Sequence, residues 1–144
     1  MNTAGGNSAA VGSAFVTTPP GSGAGSRSLA VNVDASALAV GQVTVSVDFC
    51  PGGAQATGIQ GAFHVSVWFK PSDSNGAPSG PGYAYLTNGN TVVNGGSDFN
   101  TPAGTWFELA TAFAQGASVS HVDVTVGGLE GHKGVLYFDN AHFD

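Results

Sequence analysis

Apolar and polar residues alternate along most of this chain with the period of a β-strand, which places successive side chains on opposite faces. Leu29, Val31 and Val33 alternate with Ala30, Asn32 and Asp34. Val43, Val45, Val47 and Phe49 alternate with Thr44, Ser46 and Asp48, and Gln42 to Phe49 is the cleanest amphipathic stretch. From Ala62 to Lys70, Phe63, Val65, Val67 and Phe69 form one face, and His64, Ser66, Trp68 and Lys70 form the other. Further strands are predicted over Gly82–Thr87, Thr105–Phe113, Val119–Val126 and Val135–Phe143, with a short extension over Thr91–Val93. Ala14-Phe15-Val16 reads as a short edge strand. Pro19-Pro20, Pro51-Gly52-Gly53, the stretch from Pro71 to Pro81 and Asn88-Gly89-Asn90 carry turn and loop chemistry. Ala35 to Val40 has room for one helical turn, and no segment has the pattern of a longer helix. Seven or eight strands, each with one apolar and one polar face, predict an all-β chain. The expected architecture is two antiparallel sheets packed face to face, or a barrel.

Composition narrows the picture. The chain has 144 residues, among them 23 glycines, a share more than twice the ordinary ~7%. They have no period of three, which excludes collagen, and no 20- to 50-residue repeat supports a propeller or β-helix. Helical bundles are excluded by the same glycine content. The hydrophobic fraction of 42% is enough for a core. One domain is expected, with residues 1–24 as an N-terminal segment holding the edge strand and a loop, and 25–144 as the sandwich. Cys50 is the one cysteine, so no intrachain disulfide forms.

Lys and Arg together number 3 against 9 Asp and Glu, for a formal net charge of −6. Three cations cannot neutralise a phosphate backbone, so no nucleic-acid partner is expected. No apolar run reaches the ~18 residues of a membrane helix, and no membrane partner is expected. Met1 to Gly12 lacks a cationic and an apolar region and does not read as a signal peptide. The scarcity of lysine and the Gly/Ser/Thr/Asn bias nonetheless resemble exported bacterial proteins.

Four stretches, in order, resemble one known group. They are Gly25-Ser26-Arg27-Ser28-Leu29-Ala30-Val31, Gly61 to Lys70, Gly104-Thr105-Trp106-Phe107 to Phe113, and Val135-Leu136-Tyr137-Phe138-Asp139-Asn140-Ala141. Their order and spacing are similar to those of jelly-roll carbohydrate-binding modules of families 4, 9, 16 and 22. The resemblance covers about residues 25–144. It implies a secreted, non-catalytic and monomeric module that binds a polysaccharide and holds an appended glycoside hydrolase on it. It also implies a structural calcium ion near the N-terminal segment and the last strand. Asp139 matches the first acidic position of the group's Asp-Asp pair, and Asn140 replaces the second. The acidic residue usual in the N-terminal segment is missing, the first acid being Asp34.

Sugar rings offer apolar C–H faces and a rim of hydroxyls, so a site needs flat aromatics flanked by polar groups. Trp68 is the first candidate, as an indole on a polar strand face beside His64. Tyr83 and Tyr85, two apart, share a face. Asp123 and Thr125, with His121, occupy the polar side of their strand. Asn90 and Asn94 follow the tyrosine strand. Trp106 reads better as edge packing. The histidines form no HxH or HExxH pair, so a zinc site is not expected. Glu108 with Asp123 is the one carboxylate pair that a glycosidase reading offers. A neutral ligand such as β-glucan, cellulose or xylan suits so few charges, and polyuronates would be repelled. The alternative is a structural or adhesion β-sandwich without a sugar ligand.

Overall fold

The computed structural model describes residues 8–17, 27–48, 56–59, 62–72, 82–88, 91–99, 106–112, 117–119 and 121–143. Asn90 and Cys50 lie outside them. Among the described residues there is no helix, and eleven strands are present: β1 (Ala10–Val16), β2 (Ser28–Asp34), β3 (Val43–Asp48), β4 (Ala56–Ile59), β5 (Ala62–Pro71), β6 (Gly82–Asn88), β7 (Thr91–Phe99), β8 (Phe107–Ala112), β9 (Ala117–Val119), β10 (His121–Gly127) and β11 (Lys133–Phe143).

One sheet runs β1-β2-β11-β5-β8, a second runs β3-β10-β6-β7, and β4 with β9 forms a two-stranded ribbon. All strand pairs are antiparallel. With β1 and the ribbon set aside, eight strands pair as β2 with β11, β3 with β10, β5 with β8 and β6 with β7. Successive pairs nest inside one another and alternate between the sheets. That order is the jelly roll, which the sequence resemblance implies.

The alternation read in the sequence becomes the core. Val31, Val33, Phe63, Val65, Val67, Phe69, Leu109, Leu136 and Phe138 from the larger sheet meet Val43, Val45, Val122, Val124 and Val126 from the smaller one in a single cluster. Phe63 and Val124 are both 0% exposed. Burying each such side chain stabilises the fold by about 1.5–3 kcal/mol before entropy is counted. The described part of the N-terminal segment joins this core. Ala9 is fully buried, its N–H donates to the Gln42 carbonyl, and its own carbonyl accepts from Asp34 N–H. Thus the chain passes from the rim of one sheet to the rim of the other before β1 begins. In β1, Phe15 is 67% exposed although it is paired with Leu29.

Close packing explains one glycine in particular. Gly134 is buried where β11 crosses β5, and a Cβ there would run into the Lys70 carbonyl oxygen and the Phe69 ring. Ala35–Val40, which has room for one helical turn, holds a non-helical turn. Asp34 accepts hydrogen bonds from the Ser36 N–H and hydroxyl, while Ala35 N–H donates to the His132 carbonyl and the Ala35 carbonyl accepts from Leu38 and Gly131 N–H. An acid two residues before the N–H it caps favours such a turn over a helix.

Candidate functional site

Residues directly opposite one another in antiparallel strands share a face, so the register shows what stands together on each outer surface. On the five-stranded sheet, one transverse row runs Trp68, Tyr137, Ala30, Ala14 across β5, β11, β2 and β1. Trp106, just before β8, meets Trp68 edge-on, with ring centroids 5.5 Å apart and planes at 72°. Both tryptophans are half-buried. The edge-on pair holds the Trp68 ring in place, a geometry worth about 0.5–1.5 kcal/mol beyond its buried area.

The neighbouring rows are polar. On one flank lie Lys70, Val135, Asn32 and Gly12, with Lys70 and Asn32 exposed. On the other flank lie Glu108, Ser66 and Asp139. Beyond them His64 faces His142, their rings stacked at 4.9 Å and 11°. His64 Nδ1 is 3.0 Å from Glu108 Oε1. An ionised carboxylate only accepts, so that nitrogen carries the proton.

The phase of β11 explains how His142 reaches this surface. Strict alternation from Tyr137 and Asp139 would turn His142 inward. A bulge between Asp139 and His142 adds one residue and restores it opposite His64. Asn140 takes the left-handed conformation there, with φ 52°, which asparagine tolerates better than most residues.

The other outer surface is organised differently. On β10, Asp123 faces Ser46 of β3 and Thr87 of β6, while Thr125 faces Thr44 and Tyr85. Tyr83 is paired with Gly127. The Ser46 hydroxyl donates to Asp123 Oδ1, and His121 Nε2 lies 3.8 Å from Asp123 Oδ2. The Thr44 and Thr125 hydroxyls bond each other at 2.8 Å, and Thr125 is 3% exposed.

The strands that carry six of the seven residues expected at a sugar site lie in two different sheets. Trp68 and His64 share the outer face of the larger sheet. Tyr83, Tyr85, Asp123 and Thr125 belong to strands of the smaller sheet, across the core. Asn90 falls outside the described residues, and Asn94 is paired with Leu86 in β7. The structure adds Tyr137, Trp106, Asn32 and Lys70 to the surroundings of Trp68. Tyr137 was readable from alternation, because it shares a phase with Asp139 and opposes Leu136 and Phe138. The placement of Trp106 against Trp68 has no signal in periodicity. Glu108 and Asp123 stand on opposite outer faces, so they cannot flank one glycosidic bond as a hydrolase would require.

Asp139 is 9% exposed and both its oxygens are engaged. Oδ2 accepts from the Ser28 hydroxyl at 2.7 Å and Oδ1 from the Asn140 N–H at 2.7 Å. Calcium takes about six to eight oxygen ligands, and no group of three or more acidic, histidine or cysteine side chains gathers among the described residues. Asp139 ties the bulge of β11 to the start of β2.

The Asp34 carboxyl, at the far end of the same sheet, is held down to about 2. The Ser36 hydroxyl is the main cause, followed by the bond to Lys133 Nζ at 2.9 Å and the Ser36 N–H.

No family model matches the sequence, and no curated protein matches it. The solved structure of a carbohydrate-binding module, TmCBM27, described for its specific mannan recognition, is similar in fold. The two chains are 18% identical with a TM-score of 0.49, over 90% of this chain and 84% of that one. Its family number lies outside the 4, 9, 16 and 22 group that the motifs resemble. At that identity and TM-score, nothing about a ligand passes from that protein to this chain.

Proposed function

We propose that this chain is a non-catalytic carbohydrate-binding module, and that the glycan lies on the outer face of the five-stranded sheet. The observation that carries this reading is the aromatic row. Trp68 is backed by Trp106, stands opposite Tyr137, and has exposed polar side chains on its flanks. An indole held on an otherwise polar sheet surface gives a flat apolar platform for the C–H face of a sugar. Asn32, exposed on one flank, supplies a donor and an acceptor for hydroxyls. The low charge of the chain favours a neutral main chain such as β-glucan, amorphous cellulose or xylan. On this reading the module is extracellular and monomeric, and serves an attached glycoside hydrolase by keeping it near its substrate.

Affinity gel electrophoresis against β-glucan, amorphous cellulose, xylan and mannan tests the proposal. Retarded migration with at least one of them is expected, with no release of reducing ends. Unchanged migration with all four would overturn the reading in favour of a structural or adhesion role.

A further inference from the structure

The aromatic face is electrically lopsided. Glu108 and Asp139 lie on one flank of the Trp68 row, while Lys70 stands on the other, two residues along β5 from Trp68 and on the same face. Residues so placed have Cα atoms about 6.6 Å apart. The chain has only 3 cations. Lys133 is paired with Asp34 at 2.9 Å, and Arg27 sits over the Phe15 ring at 5.4 Å, at the opposite edge of the sheet. Lys70 is exposed and has no ion pair among the described residues.

We propose that Lys70 reads a carboxylate substituent on the glycan, so that the preferred ligand is a neutral main chain carrying sparse uronic-acid groups. This rests on the carbohydrate-binding reading above and specifies its ligand. A single carboxylate meets the local field of Lys70. A polyuronate would meet the net charge of −6, and Glu108 and Asp139 across the row, so it is repelled as a whole. The charge pattern thus selects against dense acid and for isolated acid.

The test compares matched polymers. One pair is glucuronoxylan and the same polymer after carboxyl reduction. Two others are β-glucan and glucomannan, each native and lightly oxidised at C6. Polygalacturonate is the dense-acid control. Isothermal titration at low ionic strength should show the sparsely carboxylated form of a bound polymer preferred by about three- to fivefold, the range of an exposed ion pair. That preference should shrink as added salt shortens the screening length from ~30 Å to ~8 Å. Polygalacturonate should not bind. Lys70→Met should bring the ratio between the two forms to about one, the expected cost of a single lost ion pair. Equal binding of both forms by the unmodified protein, or a preference that survives Lys70→Met, would overturn the proposal while leaving glycan binding intact. Failure of every polymer to bind in either form would overturn this inference together with the reading on which it rests.

Discussion

The two outer surfaces of this sandwich are made from the same alternating pattern, yet they differ in what they leave available. On the four-stranded sheet, polar groups bond one another: Ser46 with Asp123, and Thr44 with Thr125. On the five-stranded sheet, aromatic rings occupy the centre, and the exposed Lys70 has no ion pair among the described residues. A hydroxyl already bonded across strands must break that bond before it can serve a ligand, and the net gain is then small. An aromatic face has no such prior engagement. The contrast shows that a polar outward residue is evidence of a site only when its cross-strand neighbour does not satisfy it.

Several substitutions can break that contrast. The largest effect is expected for Trp68→Ala, which removes the platform. Affinity for the best polysaccharide should fall by about 30-fold or more, equal to ~2 kcal/mol, the usual scale of a central aromatic anchor. Circular dichroism should show the sheet retained. Tyr137→Ala, on the next strand of the same row, should weaken binding by a smaller factor, about fivefold, in keeping with a flanking aromatic contact.

Gly134→Ala sharpens the comparison from the side of stability. The new methyl would meet the Lys70 carbonyl and the Phe69 ring where β11 joins β5, under the proposed binding face. Overpacking of this kind costs about 1–3 kcal/mol, read as a lower midpoint in urea unfolding. Thr125→Val, on the opposite surface, should leave glycan affinity unchanged. Its expected effect is a stability loss of about 1 kcal/mol, because the buried Thr44–Thr125 bond is removed.

The smallest effect concerns Asp34, at the rim of the binding sheet. Its folded value of about 2 lies below the ordinary 3.8. The sign follows directly, because a depressed carboxyl contributes stability above its unfolded value and loses it as pH falls from near 4 towards 2. NMR titration of the carboxyl should give a midpoint of about 2. Ser36→Ala should move that midpoint up further than Lys133→Ala does.

Much of the fold was legible in the alternation. The inward sets Phe63/Val65/Val67/Phe69 and Val122/Val124/Val126 appear in the core as the period-2 pattern predicts. β4 and β9 were not legible, since Ala56-Thr57-Gly58-Ile59 and Ala117-Ser118-Val119 are too short and too small to show a pattern. β7 was foreseen only as Thr91–Val93 and extends to Phe99. Gly95-Gly96-Ser97 has little strand preference of its own, and pairing with β6 supplies the order. The candidate site was half legible. Alternation puts Trp68 and His64 on a polar face, but it cannot say which strand lies alongside. For that reason Tyr83, Tyr85, Asp123 and Thr125 read as companions of Trp68, although the jelly-roll crossovers carry them to the other sheet. The same lack of register hid Tyr137, which is 69 positions further along the chain and is the direct neighbour of Trp68.

The most direct test of the central claim uses the 2 tryptophans, each of which gives one indole N–H signal in a nitrogen–proton correlation spectrum. Titration with an oligosaccharide of the polymer that binds best should shift both indole signals. The backbone amides of β5 and β11 around Trp68 and Tyr137 should move with them, while those of Asp123 and Thr125 stay still. Shifts confined to β10 and β3, with the indole signals unmoved, would contradict the account and place the glycan on the opposite face.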